Sequence, residues 1–340
     1  MTQSLFFSVG KASHPLQVGI VGTGYVAKMR AAALIADQRS QLVAVTGNTP
    51  ASTIAFSQEF DVTVSASWVD LVERPDIDLV IISTVNRDHG KIARYALEHG
   101  KHVVVEYPLS LDPDDAESLI TLAQEKNKLL HVEHIELLGG LHNAIKASLA
   151  AIGQVFYVRY VTINPQHPAP PKWTYQPSLF GFPMTGALSR LHRFTDLFGT
   201  VASVNCQSQY WDIEPDLYKA CLCNARLTFS NGILGECVYG KGEVFWQSDN
   251  TFTLYGEQGT LIFTPEKGQL IQNDNIQNIE VASRRGLFVK DTQMVLDFLY
   301  EGKPLYITPE ASLYTLKVAE AARHSSLLGE TVKIHSDMKS

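Results

Sequence analysis

Two glycines and an alanine near the start of the chain have the spacing of a dinucleotide-binding turn. Gly22, Gly24 and Ala27 form a G-x-G-x-x-A pattern directly after the apolar run Val18–Val21. The first glycine permits a tight turn, the second lets backbone N–H groups approach a pyrophosphate, and the small third residue lets the next helix lie close to the sheet. Phosphates would lie over the N-terminus of that helix, where free N–H groups and the helix dipole favour negative charge. The pattern predicts a dinucleotide site; the alternative is an ordinary glycine-rich turn.

The turn after the second predicted strand carries no carboxylate. An acidic residue about 20 positions after the glycines usually binds the ribose 2′-OH of NAD, whereas this segment contains Asn48, Thr49 and Ser52. A 2′-phosphate would meet no repulsion there, and these side chains could donate hydrogen bonds to its oxygens. The segment therefore favours NADPH, with NADH as a weaker possibility. Alternatively, Asn48 and Thr49 cap the following helix, and both interpretations can hold together.

The first part of the chain must position these residues by alternating strands with helices. The predicted strands are Val18–Val21, Leu42–Val45, Leu79–Ile82, His102–Val105 and Leu129–Val132, and the predicted helices are Tyr25–Ala36, Pro50–Phe60, His89–Gly100 and Asp112–Asn127. Repeated βα units predict a parallel, doubly wound sheet with right-handed crossovers. Ligands of such sheets bind beyond the carboxyl ends of the strands. The candidate site loops are therefore Thr46–Pro50, Ser83–Asn86, Glu106–Pro108 and His134–Glu136.

After Gly139 the pattern changes to closely spaced strands. These are Val155–Ile163, Val201–Tyr210, Ala220–Phe229, Ile233–Tyr239, Thr251–Tyr255 and Thr260–Phe263. Turn signals at Asn231-Gly232 and Glu257–Gly259 indicate antiparallel pairing. Helical segments are predicted at Thr185–Phe198, Asp291–Tyr300 and Pro309–Leu328. The predicted division is a flexible leader over 1–15, a Rossmann domain over 16–136 and a substrate domain over 137–340.

Composition excludes several classes of function. The chain has 340 residues, a formal net charge of −7 and no dense run of Lys and Arg, so nucleic acid and anionic membranes are unfavourable partners. No apolar run approaches the roughly 20 residues of a membrane helix, and the N-terminus lacks a signal-peptide pattern. The four cysteines form no C-x-x-C motif. We expect reduced core thiols and a cytoplasmic location.

Several motifs resemble those of the Gfo/Idh/MocA oxidoreductases. They are Ser83–Asn86 with His89, and the run from Ala96 to Pro108. The resemblance implies a Rossmann domain followed by an α/β domain with a large, open, mainly antiparallel sheet, used in this family either to form a homodimer or to cover the substrate; a monomer is the other possibility. The usual catalytic Glu-Lys-Pro is Glu106-Tyr107-Pro108 here. The usual Asp-x-Gly-x-His-x-x-Asp helix falls on Ser189–Asp196, where only Asp196 matches. These departures argue against ordinary sugar or inositol dehydrogenation.

With these replacements the sequence resembles the biliverdin reductase branch of the family, most of all its cyanobacterial type. The likeness rests on Leu129–Gly140, Ala187–Arg190, Arg193–Thr200, Tyr239–Phe245 and Ser283–Phe288. The resemblance implies NAD(P)H-dependent reduction of biliverdin IXα, a linear tetrapyrrole, to bilirubin at the C10 methine. This reaction needs a hydride at carbon and a proton at a pyrrole nitrogen, and no base to deprotonate an alcohol. Loss of the Lys and His is chemically consistent with it.

The candidate residues follow from the resemblance and from that chemistry. Arg190 is predicted to stabilise negative charge arriving on the conjugated system, and Tyr107 to stack on the tetrapyrrole or donate a hydrogen bond; alternatively Arg190 only pairs with a carboxylate and Tyr107 is a wall. The predicted substrate contacts are Tyr107, His134, Arg190, Arg193, Lys241, Arg284 and Arg285, in which the basic groups suit propionates. The predicted cofactor contacts are Gly22, Thr23, Gly24, Tyr25, Val26, Asn48, Thr49, Ser52, Ser83, Thr84, Val85, Asn86, His89 and Glu106.

A metal site is not expected. His131, Glu133, His134 and Glu136 resemble ligands only superficially, because alternate strand residues face opposite ways and the spacing fits no zinc pattern. His134 and Glu136 are predicted to line the pocket. Two other functions stay open: a dehydrogenase of another small substrate, or a non-catalytic NAD(P)-binding regulator.

Overall fold

The computed structural model describes residue 12, residues 14–212 and residues 214–334. Most of the predicted leader over 1–15 lies outside these described residues. The chain forms two compact units. The first contains the described residues up to Ile135 together with Gly286–Leu313, and the second contains Glu136–Arg285 and the chain from Tyr314 onward.

As predicted, strands and helices alternate in the first part of the chain, and closely spaced strands follow in the second part. The strands are β1 Leu16–Val21, β2 Ser40–Thr46, β3 Thr63–Val64, β4 Leu79–Ile82, β5 His102–Glu106, β6 Leu130–Glu133, β7 Val155–Pro165, β8 Val201–Trp211, β9 Ala220–Phe229, β10 Leu234–Gly242, β11 Asp249–Gly256, β12 Gly259–Phe263, β13 Lys267–Gln272, β14 Asn275–Glu280 and β15 Val332–Lys333. The helices are α1 Tyr25–Ile35, α2 Pro50–Phe60, α3 Trp68–Glu73, α4 Asn86–Glu98, α5 Pro113–Glu125, α6 Gly140–Ser148, α7 Pro177–Phe180, α8 Pro183–Gly186, α9 Ser189–Phe198, α10 Leu287–Glu301 and α11 Pro309–Leu328. None of the helices in this described part of the chain is long and apolar enough to cross a membrane.

The first unit is built on a six-stranded parallel sheet. Its strand order is β3-β2-β1-β4-β5-β6, the doubly wound order of dinucleotide-binding folds. Val18 and Ile20 of β1 are fully buried beneath α1, where Ala27 is also fully buried. The small third residue of the glycine motif thus lets the helix pack closely on the sheet. The predicted Rossmann sheet is confirmed.

The second unit is built on a nine-stranded sheet. Its order is β14-β13-β12-β11-β7-β10-β9-β8-β15. All neighbours are antiparallel except β7 and β10. The predicted hairpins at Asn231-Gly232 and Glu257–Gly259 are confirmed, because they join β9 to β10 and β11 to β12. The predicted mainly antiparallel sheet is therefore confirmed as well.

The structure differs from the predicted division in one respect. Residues 286–313 were predicted in the second domain, but they belong to the first unit. Val295, Leu296 and Leu299 of α10 pack into the same buried cluster as Val18 and Ile20. The apolar face of α10 therefore covers the Rossmann sheet, which no local pattern indicated.

Candidate active site

The β1–α1 turn has the geometry that a dinucleotide requires. Gly22 has φ +126°, and a side chain there would overlap the Ser83 carbonyl oxygen, so only glycine fits. Gly24 is the N-cap of α1 and has open space where a Cβ would lie. No side chain caps this helix, so its first N–H groups remain available for a pyrophosphate. Tyr25 and Val26 form the first turn of α1. The residues present fit the cofactor.

Three hydroxyl groups gather at the N-terminus of α2. Thr49 caps this helix and accepts a hydrogen bond from the Ser52 N–H at 3.3 Å. The Ser52 hydroxyl lies 2.7 Å from the Thr49 hydroxyl and accepts from the Thr23 hydroxyl at 3.1 Å. Asn48 is exposed beside them. Capping by Thr49 is confirmed, and the hydroxyl cluster adds donors suited to a 2′-phosphate.

The β4–α4 loop, Ser83–Asn86, is tied to the Glu106–Pro108 turn by a buried histidine. Nδ1 of His89 lies 2.8 Å from the Pro108 carbonyl oxygen, and its Nε2 lies 3.2 Å from that of Thr84. Burial lowers the pKa of His89, so the ring is neutral at physiological pH and donates one of these bonds. The sequence predicted a cofactor contact for His89. Both ring nitrogens face protein carbonyls, which gives His89 a positioning role, and its cofactor contact stays a prediction.

Glu106 belongs to a buried network of charges. Its carboxylate is paired with that of Glu133 on the neighbouring strand β6 and lies 3.7 Å from Arg30. Arg30 donates to Asp291 of α10, which also lies 2.9 Å from Nε2 of His131. Burial raises the pKa of Glu106 and, together with the charge of Glu106, raises that of Glu133 well above its usual range. We infer that the two glutamates share a proton.

Sequence reasoning missed most of this network. Arg30 and Asp291 are fully buried and lie far apart in the chain, so no spacing links them. The sequence around Arg30 in α1 gives no sign that this arginine is buried either. Glu133 was noticed only as an unconvincing metal ligand. Within the described residues, no group of three or more His, Cys, Asp or Glu side chains is placed to hold a metal ion.

Tyr107 is supported by His134. Their rings stack with centroids 5.1 Å apart and planes inclined by 11°. Nε2 of His134 lies 2.8 Å from the Ser312 hydroxyl, and its backbone N–H donates to the Tyr306 hydroxyl at 2.9 Å. His134 is completely buried. His134 therefore supports the ring of Tyr107, and its predicted place in the pocket lining stays a prediction.

In the second unit, Arg190 and Lys241 both lie near the aromatic ring of Tyr239. The guanidinium carbon of Arg190 lies 5.5 Å from the Tyr239 ring centre, and Nζ of Lys241 lies 5.8 Å from the same centre. Arg190 also donates to the Ser189 hydroxyl at 3.1 Å. Two cations beside aromatic surface suit a flat, conjugated anion.

The ammonium group of Lys241 is enclosed. It donates to the Thr174 carbonyl oxygen and lies 4.1 Å from the Phe180 ring centre and 4.5 Å from that of Tyr175. Only 6% of the residue is exposed. Burial, together with the charge of Arg190, lowers the pKa of Lys241 to about 8. The predicted propionate contact is not supported, because the ammonium already faces rings and a carbonyl.

The remaining predicted basic residues, Arg193, Arg284 and Arg285, differ in solvent exposure. Arg193 is buried and donates to Glu136 at 2.7 Å, so it is a structural partner and not an open ligand. Arg284 is exposed and donates to the other oxygen of Glu136. Arg285 is exposed. Glu136, predicted as pocket lining, thus lies between two guanidinium groups.

The four cysteines, Cys206, Cys221, Cys223 and Cys237, are free and buried, as predicted. They lie on β8, β9 and β10. The sulfur atoms of Cys206 and Cys223 are 3.4 Å apart. Burial raises the pKa of the Cys221 thiol and raises that of Cys237 to about 12, so these groups stay protonated and unreactive.

Two family models match the chain. Residues 16–134 match the oxidoreductase family with the NAD-binding Rossmann fold of the Gfo/Idh/MocA type. Residues 148–334 match the C-terminal α/β domain of the same family. The two matches coincide with the parallel sheet and the nine-stranded sheet described above.

Known proteins similar to the chain include reductases of different substrates. The crystal structure of biliverdin reductase from Synechocystis sp. PCC 6803, in complex with biliverdin and NADP+, is 54% identical, covers 92% of this chain and 99% of its own, and superposes with a TM-score of 0.90. Biliverdin reductase A of Mus musculus is 32% identical over 41% of this chain and 44% of its own length. A dTDP-3,4-didehydro-2,6-dideoxy-alpha-D-glucose 3-reductase of Saccharopolyspora spinosa is 31% identical over 44% of this chain and 45% of its own. The chain thus spans less than half the length of these two curated relatives.

Proposed function

The chain belongs to the Gfo/Idh/MocA oxidoreductase family, and we propose that within it the protein is an NADPH-dependent biliverdin reductase. The reaction converts biliverdin IXα to bilirubin by adding a hydride to the C10 methine and a proton to a pyrrole nitrogen. The observation that carries the proposal is the 54% identity to the Synechocystis enzyme over 92% of this chain and 99% of that one.

At two positions the chain lacks the residues that are usual in the family, and the residues found there support this substrate class. Tyr107 stands where the family usually has its catalytic Lys, and Arg193 stands where the usual His is expected. The chain thus lacks the Lys and the His that resembling family members use to oxidise an alcohol. A methine bridge needs no base to deprotonate an alcohol, because it accepts a hydride at carbon.

NADPH supplies the hydride when it is bound. The turn Gly22–Tyr25 would hold the pyrophosphate, and the hydroxyls of Thr23, Thr49 and Ser52 would surround the 2′-phosphate. The absence of a carboxylate in that turn favours NADPH over NADH. Glu106 and the loop Ser83–Asn86, braced by His89, would form the nicotinamide end.

Arg190 is the proposed catalytic cation. Hydride arrival places negative charge on the conjugated nitrogens, and a fixed guanidinium stabilises that charge in the transition state. Arginine is too weak an acid to protonate most groups, but an anionic pyrrole nitrogen can take a proton from it or from a water that it orients. Tyr107 would stack on the tetrapyrrole or donate a hydrogen bond to it.

A colour assay tests the proposal. The protein is mixed with NADPH and biliverdin at neutral and at acidic pH, and the visible spectrum is followed. We expect the green substrate to become yellow bilirubin while NADPH is consumed in equal amount. Tight NADPH binding without bilin turnover would reject the proposal in favour of a non-catalytic regulator, and turnover of a sugar alone would favour another dehydrogenase.

The buried free cysteines support a cytoplasmic location.

A further inference from the structure

One carboxylate in the second unit holds two arginines. Oε2 of Glu136 accepts from Nη2 of Arg193 at 2.7 Å, and its Oε1 accepts from Nη2 of Arg284. The side chain of Arg193 is only 4% exposed, whereas that of Arg284 is 66% exposed. Glu136 therefore joins a buried guanidinium to an open one.

The charges of this group do not balance. Two guanidinium groups and one carboxylate leave one net positive charge. Nη1 of Arg193 is also buried without a hydrogen-bond partner. Asp196, three residues along α9, does not offset the excess, because it lies 2.7 Å from His142 and 2.6 Å from Lys146. A second carboxylate would complete the group, and the exposed fork of Arg284 is the place where it can bind.

We propose that Glu136 holds Arg284 as a subsite for one carboxylate of the substrate. This inference rests on the proposed function, in which the carboxylate is a propionate of biliverdin. Arg193 lies three residues after Arg190 on α9, so the buried arginine that Glu136 holds comes from the same helix as the proposed catalytic cation. Arg284 is the ligand, and Glu136 is a positioning residue that fixes its guanidinium.

The structure favours Arg284 over the other predicted basic residues. Arg193 and Lys241 are buried and already face protein groups. An arginine held at one nitrogen by a carboxylate loses less side-chain freedom on binding than a free one. Fixed orientation therefore makes Arg284 the better ligand for a planar carboxylate.

The test compares biliverdin with its dimethyl ester, which lacks both carboxylates. KM and kcat are measured with NADPH, and binding is titrated by visible absorbance in the presence of NADP+. We expect Arg284→Ala to raise KM and Kd for biliverdin about tenfold or more, with little change for the diester and in kcat. Arg226→Ala removes an exposed arginine from β9 that donates to Asn205, and it should change neither substrate.

A double-mutant cycle tests the role of Glu136. Glu136→Gln should reduce the preference for biliverdin over the diester at least threefold, and it should have no such effect when Arg284 is already Ala. Equal losses for both substrates, or an effect of Glu136→Gln that persists without Arg284, would overturn the inference. Thermal melting of each variant shows whether it folds.

The two proposals fail differently. If the unaltered protein shows no turnover, the reductase function is rejected. The subsite can still be tested by binding, because it predicts tighter binding of biliverdin than of the diester and loss of this preference in Arg284→Ala. Turnover with no preference for the diacid rejects the subsite alone.

Discussion

Replacing Asp291 by Asn should destabilise the first unit more than any exposed change on the same helix. Asp291 is fully buried and sits between Arg30 and His131. Burial alone would raise its pKa, but the charges of Arg30 and His131 hold the pKa of this carboxyl well below its usual range. Asn keeps the shape and one acceptor oxygen, and it removes the charge.

The magnitude follows from what remains behind. Arg30 is also fully buried, and although burial alone would lower its pKa, the charges of Asp291, Glu106 and Glu133 raise it. Breaking a buried pair by removing one partner costs about 3–5 kcal/mol. Glu106, 3.7 Å from Arg30, still offsets part of the charge, so we expect the lower end, about 3 kcal/mol. For a unit of this size that is a fall in Tm of roughly 6–12 °C.

Asp297→Asn on the same helix is the matched control. Asp297 is 30% exposed and pairs with Arg39 and Lys303, and exposed pairs contribute about 1 kcal/mol or less. Calorimetry and far-ultraviolet circular dichroism measure both variants. A fall in Tm for Asp291→Asn no larger than that for Asp297→Asn would refute the reasoning.

Acid provides a second check on Asp291. A carboxyl with a lowered folded-state pKa contributes stability above its unfolded pKa, near ~4, and loses that contribution as pH falls further. The stability difference between the unaltered protein and Asp291→Asn should therefore shrink below about pH 4. A difference that is constant with pH would show that the charge of Asp291 is not what stabilises the network.

Three further predictions concern the cofactor, the reaction and the shared proton. Ser52→Asp should raise KM for NADPH roughly tenfold or more and leave that for NADH nearly unchanged, because a carboxylate beside the Thr49 hydroxyl repels a 2′-phosphate; steady-state kinetics with both cofactors decide this. Arg190→Ala should lower kcat on biliverdin about 10²-fold or more without changing KM for NADPH, and retention of full activity would remove Arg190 from the mechanism. Glu133 has a raised folded-state pKa, so the stability that its proton provides is present at low pH and lost as pH rises above the usual glutamate value; Glu133→Gln should therefore flatten this decline in chemical denaturation above that value.

Much of the fold was predictable because its signals are local. Gly22 needs a positive φ, and this requirement acts on the backbone at that one position. Asn231-Gly232 similarly specifies a hairpin by its own conformation. By contrast, β13 and β14 were missed because they are largely polar, with β13 mostly half-buried and β14 mostly exposed, so no apolar alternation marks them.

The sequence was sufficient to predict which loops form the site, but not which side chains contact one another in it. Loops at the carboxyl ends of parallel strands follow from topology. Whether Lys241 faces solvent or a ring of aromatic side chains depends on residues from separate elements, such as Tyr175 and Phe180. Arg284 and Glu136 are 148 positions apart, so their pairing exists only in the folded chain.

The return of residues 286–313 to the first unit restricts how the protein can be divided. A truncation after Ile135 would retain Arg30 but delete its counter-ion Asp291, and would strip Val295 and Leu296 from the apolar surface of the sheet. A stand-alone cofactor module needs α10 grafted back through an artificial linker. Exchange of substrate specificity between relatives, by recombination or by engineering, must therefore replace residues 136–285 together with the chain from Tyr314 onward, leaving residues 286–313 in place, and cannot swap the C-terminal half as one continuous tail.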